Sequence, residues 1–136
     1  MTRIWLVTGA LLAATTVGLG AYGAHGLEKL IAGAVADVPK NLGYWETANR
    51  YQMYHCLAIV AVGMASSMYQ RNRLFDVAGV LFLLGIVLFS GMLYTLAVTD
   101  LKILGAIVPL GGLSLIVGWV VFAVGLFRVT ARQVSE

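Results

Sequence analysis

The two histidines, His25 and His55, are the side chains best suited to chemistry in this chain. A neutral imidazole binds metals and exchanges a proton near neutral pH. Tyr22, Glu28, Glu46, Tyr51, Gln52, Tyr54 and Asp100 accompany them in the polar segments. Tyr51 and His55 are four residues apart, which puts both on one face of a helix. Three readings of this group stand open. A haem or transition metal would use both imidazoles, although no His-rich ligand spacing is present. A lipid or quinone head group would use the aromatic and hydrogen-bonding side chains. A hydrogen-bond network that fastens a loop to helix ends needs no ligand at all. Cys56 adjoins His55 but faces another side of a helix, so a Cys–His nucleophile pair is not expected. No G-x-S-x-G, Walker or zinc-protease pattern occurs. Neither enzymatic activity nor a resident cofactor is expected, with haem or metal at His25 and His55 as the open alternative.

The elements that position these residues follow from composition. Of 136 residues, 60% are hydrophobic and 11% charged, with a mean hydropathy of +0.90. Soluble domains carry about 45–50% apolar and about 25% charged residues. A soluble enzyme and a disordered tail are thereby excluded. The net charge of +3 is scattered without a basic stripe, so no nucleic-acid partner is expected. The single cysteine rules out an internal disulfide. Charge is confined to segment ends and one loop, and the interiors of the apolar runs hold no Lys, Arg, Asp or Glu. Ion-coupled transport normally needs such groups at depth.

The runs predict a single transmembrane domain over residues 1–136, an all-α bundle with helices about 4–24, 45–69, 75–98 and 103–127. The first run is longer than a signal-peptide core and is read as a retained helix. A short amphipathic helix is expected over about 26–38, lying in the membrane interface or closing the bundle as a lid. Arg3, Arg71, Arg73, Arg128 and Arg132 fall on one side of this topology. Lys29, Lys40, Arg50 and Lys102 fall on the other, so both termini are assigned to the cytoplasmic side of a bacterial plasma (inner) membrane. Helix association in lipid depends on small residues. Ala10, Ala14 and Gly18 repeat every four residues, with Thr16, Gly20 and Ala24 beside them, and Gly111, Gly118 and Gly125 every seven, the period of a left-handed seam. Pro109 is harmless if its helix starts near Ile107 and kinks the helix if it starts earlier. Asp76 is expected at the N-terminus of the third helix, where the dipole favours an anion.

Four motifs span nearly the whole chain in order: GAYGAHGL at Gly20 to Leu27, WETANRYQMYH at Trp45 to His55, LFSGMLY at Leu88 to Tyr94, and PLGGLSLIVGW at Pro109 to Trp119. On these the chain resembles the small bacterial membrane proteins of domain-of-unknown-function family 423, which is also similar to animal transmembrane protein 256. Met92 stands where the family usually has a small Ser, and Val108 where a Thr commonly precedes the proline. The resemblance implies an altered packing groove at the first and a lost capping hydroxyl at the second. It implies no activity.

His25, Glu46, Tyr51, His55 and Tyr94, with Pro109 nearby, are expected to form one polar site toward the outer end of the bundle, beneath the amphipathic segment. The leading functional expectation is a binding or accessory role, such as a small subunit of a larger membrane complex. A small transporter or a lipid- or quinone-binding protein is the alternative. The expected partners are membrane lipids and other membrane-protein subunits or a second copy of the chain.

Overall fold

The computed structural model describes the backbone over residues 2–69 and 72–134, and side chains as far as Ala131. Arg71 and the side chain of Arg132, both counted for orientation, lie outside the described residues. Every regular element among the described residues is helical: α1 (Thr2–His25), α2 (Leu27–Ile31), α3 (Val38–Met68), α4 (Arg73–Gly85), a π-helical turn (Ile86–Gly91), α5 (Met92–Thr99), a 3-10 turn (Lys102–Ala106) and α6 (Val108–Val134). The α4–π–α5 run forms one continuous rod. Among the described residues, three stretches are long and apolar enough to cross a membrane: Thr2–His25, Arg73–Thr99 and Lys102–Ala131.

Helix ends follow local chemistry. The Asp37 side chain accepts from Lys40 N at 3.1 Å, and Pro39 sits in the first turn of α3, where no N–H is needed. Asn72 Oδ1 caps α4 by accepting from Leu74 N at 3.0 Å. Asp100, with φ 53°, closes α5 in the left-handed region, and its N–H returns to Leu96 O. The fourth apolar run does not start its helix at residue 103. A continuous helix would need an N–H from Pro109 to Gly105 O, which proline lacks. The chain therefore makes a 3-10 turn first, and Pro109 falls in the first turn of α6.

The segment between the first two long helices also departs from expectation. Only Leu27–Ile31 is helical, and Gly33, with φ 84°, lies in the turn that separates it from α3. Helix α3 then begins at Val38, seven residues before the expected 45. Leu27 and Ile31, four apart, are 0% and 1% exposed and pack with Trp45 and Ala97. The segment thus closes the end of the bundle as a lid.

The central rod is α3, which touches α1, α4, the π turn, α5 and α6. It is less apolar than the other three rods and carries the buried polar residues Asn41, Gln52 and His55. Protein shields these groups, so the polarity that lipid would penalise resides on the innermost helix. The α1–α3 and α4–α6 pairs make the most extensive contacts.

The seven-residue glycine seam on α6 meets a matching seam. A Cβ on Gly125 would meet the Phe75 ring at 2.9 Å, and one on Gly118 the Phe82 ring at 2.9 Å. At Gly111 the same atom would strike the backbone of Leu88 and Phe89, while the Phe89 ring has moved beside Gly112 at 3.6 Å. Phe75, Phe82 and Phe89 are themselves seven apart, and the π turn shifts the third ring along the partner helix. Gly18 does not pack: nothing lies within 4 Å of its would-be Cβ. The α1–α3 contact uses Gly20, named beside that row, together with Gly9 and Gly23, and Cβ atoms added at Gly9, Gly20 and Gly23 would meet Cys56 O, Asn49 and Trp45 in turn. The expected four-residue row lies one helix face away from the contact. Near the opposite end, Trp5 Nε1 donates to Asp76 Oδ1 at 2.8 Å, with Asp76 in the first turn of α4 as expected.

Candidate functional site

The five residues expected to share one site are distributed over separate places. His55, 5% exposed, lies at the meeting of α3, α4 and α6. Its Nδ1 is 2.7 Å from Tyr51 O, and its Nε2 is 3.2 Å from Trp119 Nε1. A carbonyl only accepts and an indole N–H only donates, so the proton sits on Nδ1 and Nε2 accepts. The imidazole is therefore neutral and both nitrogens are occupied. Ligation through Nε2 would require loss of the Trp119 bond. Tyr51 stacks on the His55 ring at 6.2 Å and meets Phe89 at 4.8 Å, as the four-residue spacing implies.

His25 does not reach this group. It is exposed at the end of α1, and the α1–α3 register pairs Gly20 with Asn49 and Gly23 with Trp45. His55 is then roughly 16 Å away along the bundle axis, at about 1.5 Å per residue. No group of three or more His, Cys, Asp or Glu able to hold a metal occurs among the described residues. Tyr94 belongs to a different network: its hydroxyl donates to Asn49 Oδ1 at 3.1 Å, and its ring meets Trp45 edge-on at 4.6 Å. Pro109 is exposed on α6. Cys56 faces α1, 3.8 Å from Thr16 Oγ1, and away from His55 as expected.

Glu46 lies where there is room for a ligand. Two adjoining cavities run along the α1–α3 contact and share Glu46 and Asn49 in their walls. One, a shallow and largely open groove of about 490 Å³, is lined by Thr16, Val17, Glu46, Asn49, Arg50, Met53 and Tyr54. The other, of about 340 Å³, lies nearer the lid and is lined by Gly20, Gly23, Ala24, Leu27, Glu28, Leu42, Trp45, Glu46 and Asn49. The GAYGAHGL motif builds its wall from small residues. Trp45 and Asn49 fit against Gly23 and Gly20, where a Cβ would come within 2.6 and 2.7 Å of their nitrogens. Trp45 Nε1 donates to Leu19 O at 3.0 Å, which holds the indole in place. Asn49 Oδ1 is taken by Tyr94, and its Nδ2 lies against Gly20 at the cavity wall. Beneath, Asn41 Nδ2 donates to Leu96 O and Ala97 O and so ties α3 to the end of α5.

Asn49 and Trp119 complete these hydrogen-bond networks, and neither stood out by residue type. Asn49 lies four residues after Trp45 inside WETANRYQMYH, the helical spacing that places it on the same face. Trp119 closes PLGGLSLIVGW, and no spacing within the sequence points it at His55.

A helical chain with apolar spans and a polar groove between two of its helices defines a membrane protein of the small helical class. The comparisons with known proteins agree. Residues 19–112 match the family described as "Protein of unknown function (DUF423)". A UPF0382 membrane protein of Staphylococcus saprophyticus is 43% identical over 127 residues, covering 93% of this chain and 99% of that protein. A UPF0382 membrane protein of Staphylococcus haemolyticus is 44% identical over 126 residues, 93% of this chain and 97% of that one. The UPF0382 membrane protein YwdK of Bacillus subtilis is 43% identical over 126 residues, 93% and 98% of the two chains. No solved structure matches. The chain belongs to the DUF423 family.

Proposed function

We propose that this protein is a non-enzymatic, membrane-embedded binding protein that holds a membrane lipid in the groove between α1 and α3. The observation that carries this reading is the groove itself, whose wall passes from Val17 and Met53 to Asn49, Arg50 and Glu46. An amphiphile needs that combination of apolar and polar surface. Helix α3 has 31 residues, and about 1.5 Å per residue makes it longer than a ~30 Å hydrocarbon core. With Met68 at one edge of the core, Asn49 and Arg50 fall at the other, and Glu46 lies among the head groups.

On this reading α3 crosses with the other three rods, giving four spans in a bacterial plasma membrane. Leu27 and Ile31 anchor the lid to the bundle, and the exposed Glu28, Lys29 and Leu30 lie at the interface. The Trp5–Asp76 and Phe75–Gly125 contacts gather Arg3, Arg73 and Arg128 at one end, which supports cytoplasmic termini. No haem or metal is proposed, since His55 is committed to its two hydrogen bonds.

Native mass spectrometry of the detergent-purified chain tests the binding reading. A retained phospholipid is expected on the wild type, with clearly less on Met53→Trp, which fills the groove. Wild-type protein free of lipid overturns it. A second reading, an accessory subunit, is favoured by the open face at Gly18, where a partner helix has room to approach. Co-purification with a defined multi-subunit complex from native membranes is its test.

A further inference from the structure

The two cavities differ in charge, and the order of that difference along the membrane normal is informative. The inner cavity carries Arg50 beside Glu46, with Val17 and Met53 as its apolar wall. The outer cavity carries Glu28 and Glu46 and no cation. From the bilayer centre outward, a bound amphiphile would meet apolar surface, then a guanidinium with the Asn49 amide, then two carboxylates. We propose that the groove selects a phospholipid whose head group bears a primary ammonium beyond its phosphate, a phosphoethanolamine lipid. The assignment rests on the groove holding a lipid, as proposed above.

Each part of the head group finds the chemistry it needs. Arg50 and the amide N–H groups of Asn49 donate to phosphate oxygens. Glu46 and Glu28 accept from the three N–H bonds of a primary ammonium. Glu46 and Arg50 are four residues apart on α3, about 5–6 Å at Cβ, so one face of one helix meets both charges of the zwitterion. A choline group has no N–H to donate to the two carboxylates. A glycerol head group leaves the lipid anionic beside two carboxylates, which repel it.

The test loads the full-length protein in detergent with equal amounts of phosphatidylethanolamine, phosphatidylcholine and phosphatidylglycerol of identical acyl chains, read by native mass spectrometry. Phosphatidylethanolamine is expected to exceed each of the others by about tenfold, the scale of a charge-assisted hydrogen bond. Glu46→Gln should bring it to the level of phosphatidylcholine with other lipid binding kept, and Arg50→Gln should lower all three together. Both side chains are exposed, so helicity and melting of these variants should match the wild type. Equal retention of the three lipids, preference for either competitor, or an unchanged preference in Glu46→Gln overturns the head-group assignment while the groove stays occupied. Wild-type protein without any lipid overturns the occupancy itself.

Discussion

His55 illustrates how a residue selected for reactivity is used for connection. Its Nδ1–H donates along its own helix to Tyr51 O, and its Nε2 accepts from Trp119 on α6, so one ring joins two helices. His55→Phe leaves the Trp119 N–H without its partner. A loss of about 1–2 kcal/mol is expected, because interhelical hydrogen bonds in membranes are individually modest. Thermal unfolding in detergent checks this, and Trp119→Phe should cost a similar amount from the other side of the bond. Asn49→Ala removes the acceptor of the Tyr94 hydroxyl, with an expected cost of about 1 kcal/mol by the same measurement. The pairing of Tyr51 with His55 could be read from their spacing. The pairing of Tyr94 with Asn49, across 45 positions, could not, because it depends on how α3 and α5 are turned toward each other.

At the scale of elements, the seven-residue glycine row on α6 was legible as a seam, but its partner was not. Phe75, Phe82 and Phe89 repeat with the same period, and the π turn between Ile86 and Gly91 brings the backbone of Phe89 against Gly111. Gly111→Ala would place a methyl on the Phe89 backbone, which cannot swing aside as a flexible side chain can. An expected loss of about 1–3 kcal/mol follows from overpacking. Gly18→Ala is the control: its Cβ meets open space, so stability should stay within about 0.5 kcal/mol or rise slightly through helix propensity. Equal losses for the two variants would remove the distinction drawn between the two glycine rows. The row of Ala10, Ala14 and Gly18 misled because small residues mark a helix face that can pack, without saying that it does. The lid was foreseen as an amphipathic segment; its shortness follows from the turn through Gly33 and the early start of α3 at Val38, capped by Asp37.

For the whole molecule, composition alone reached the membrane, and the positions of the apolar runs reached the rods. What composition obscured is that α3 carries its polar residues inward, toward α1, α4 and α6, so its apolar character is lower than its position in the bundle suggests. The expected site dispersed for a related reason. His25 and His55 are close in a diagram of helix ends, but His55 lies about three turns from the level of His25, on a face turned to α4 and α6. Glu46 alone of the five lines the groove. Four spans with both termini in the cytoplasm predict signal from a cytoplasm-dependent reporter fused to either terminus. A signal from only one of the two fusions would contradict that count. A photo-crosslinking residue at Met53, activated in native membranes, reads out whether the α1–α3 groove holds a lipid. The predicted product is the full-length chain carrying the mass of one phospholipid; a polypeptide adduct in its place would contradict the claim and establish the groove as the seat of a partner helix.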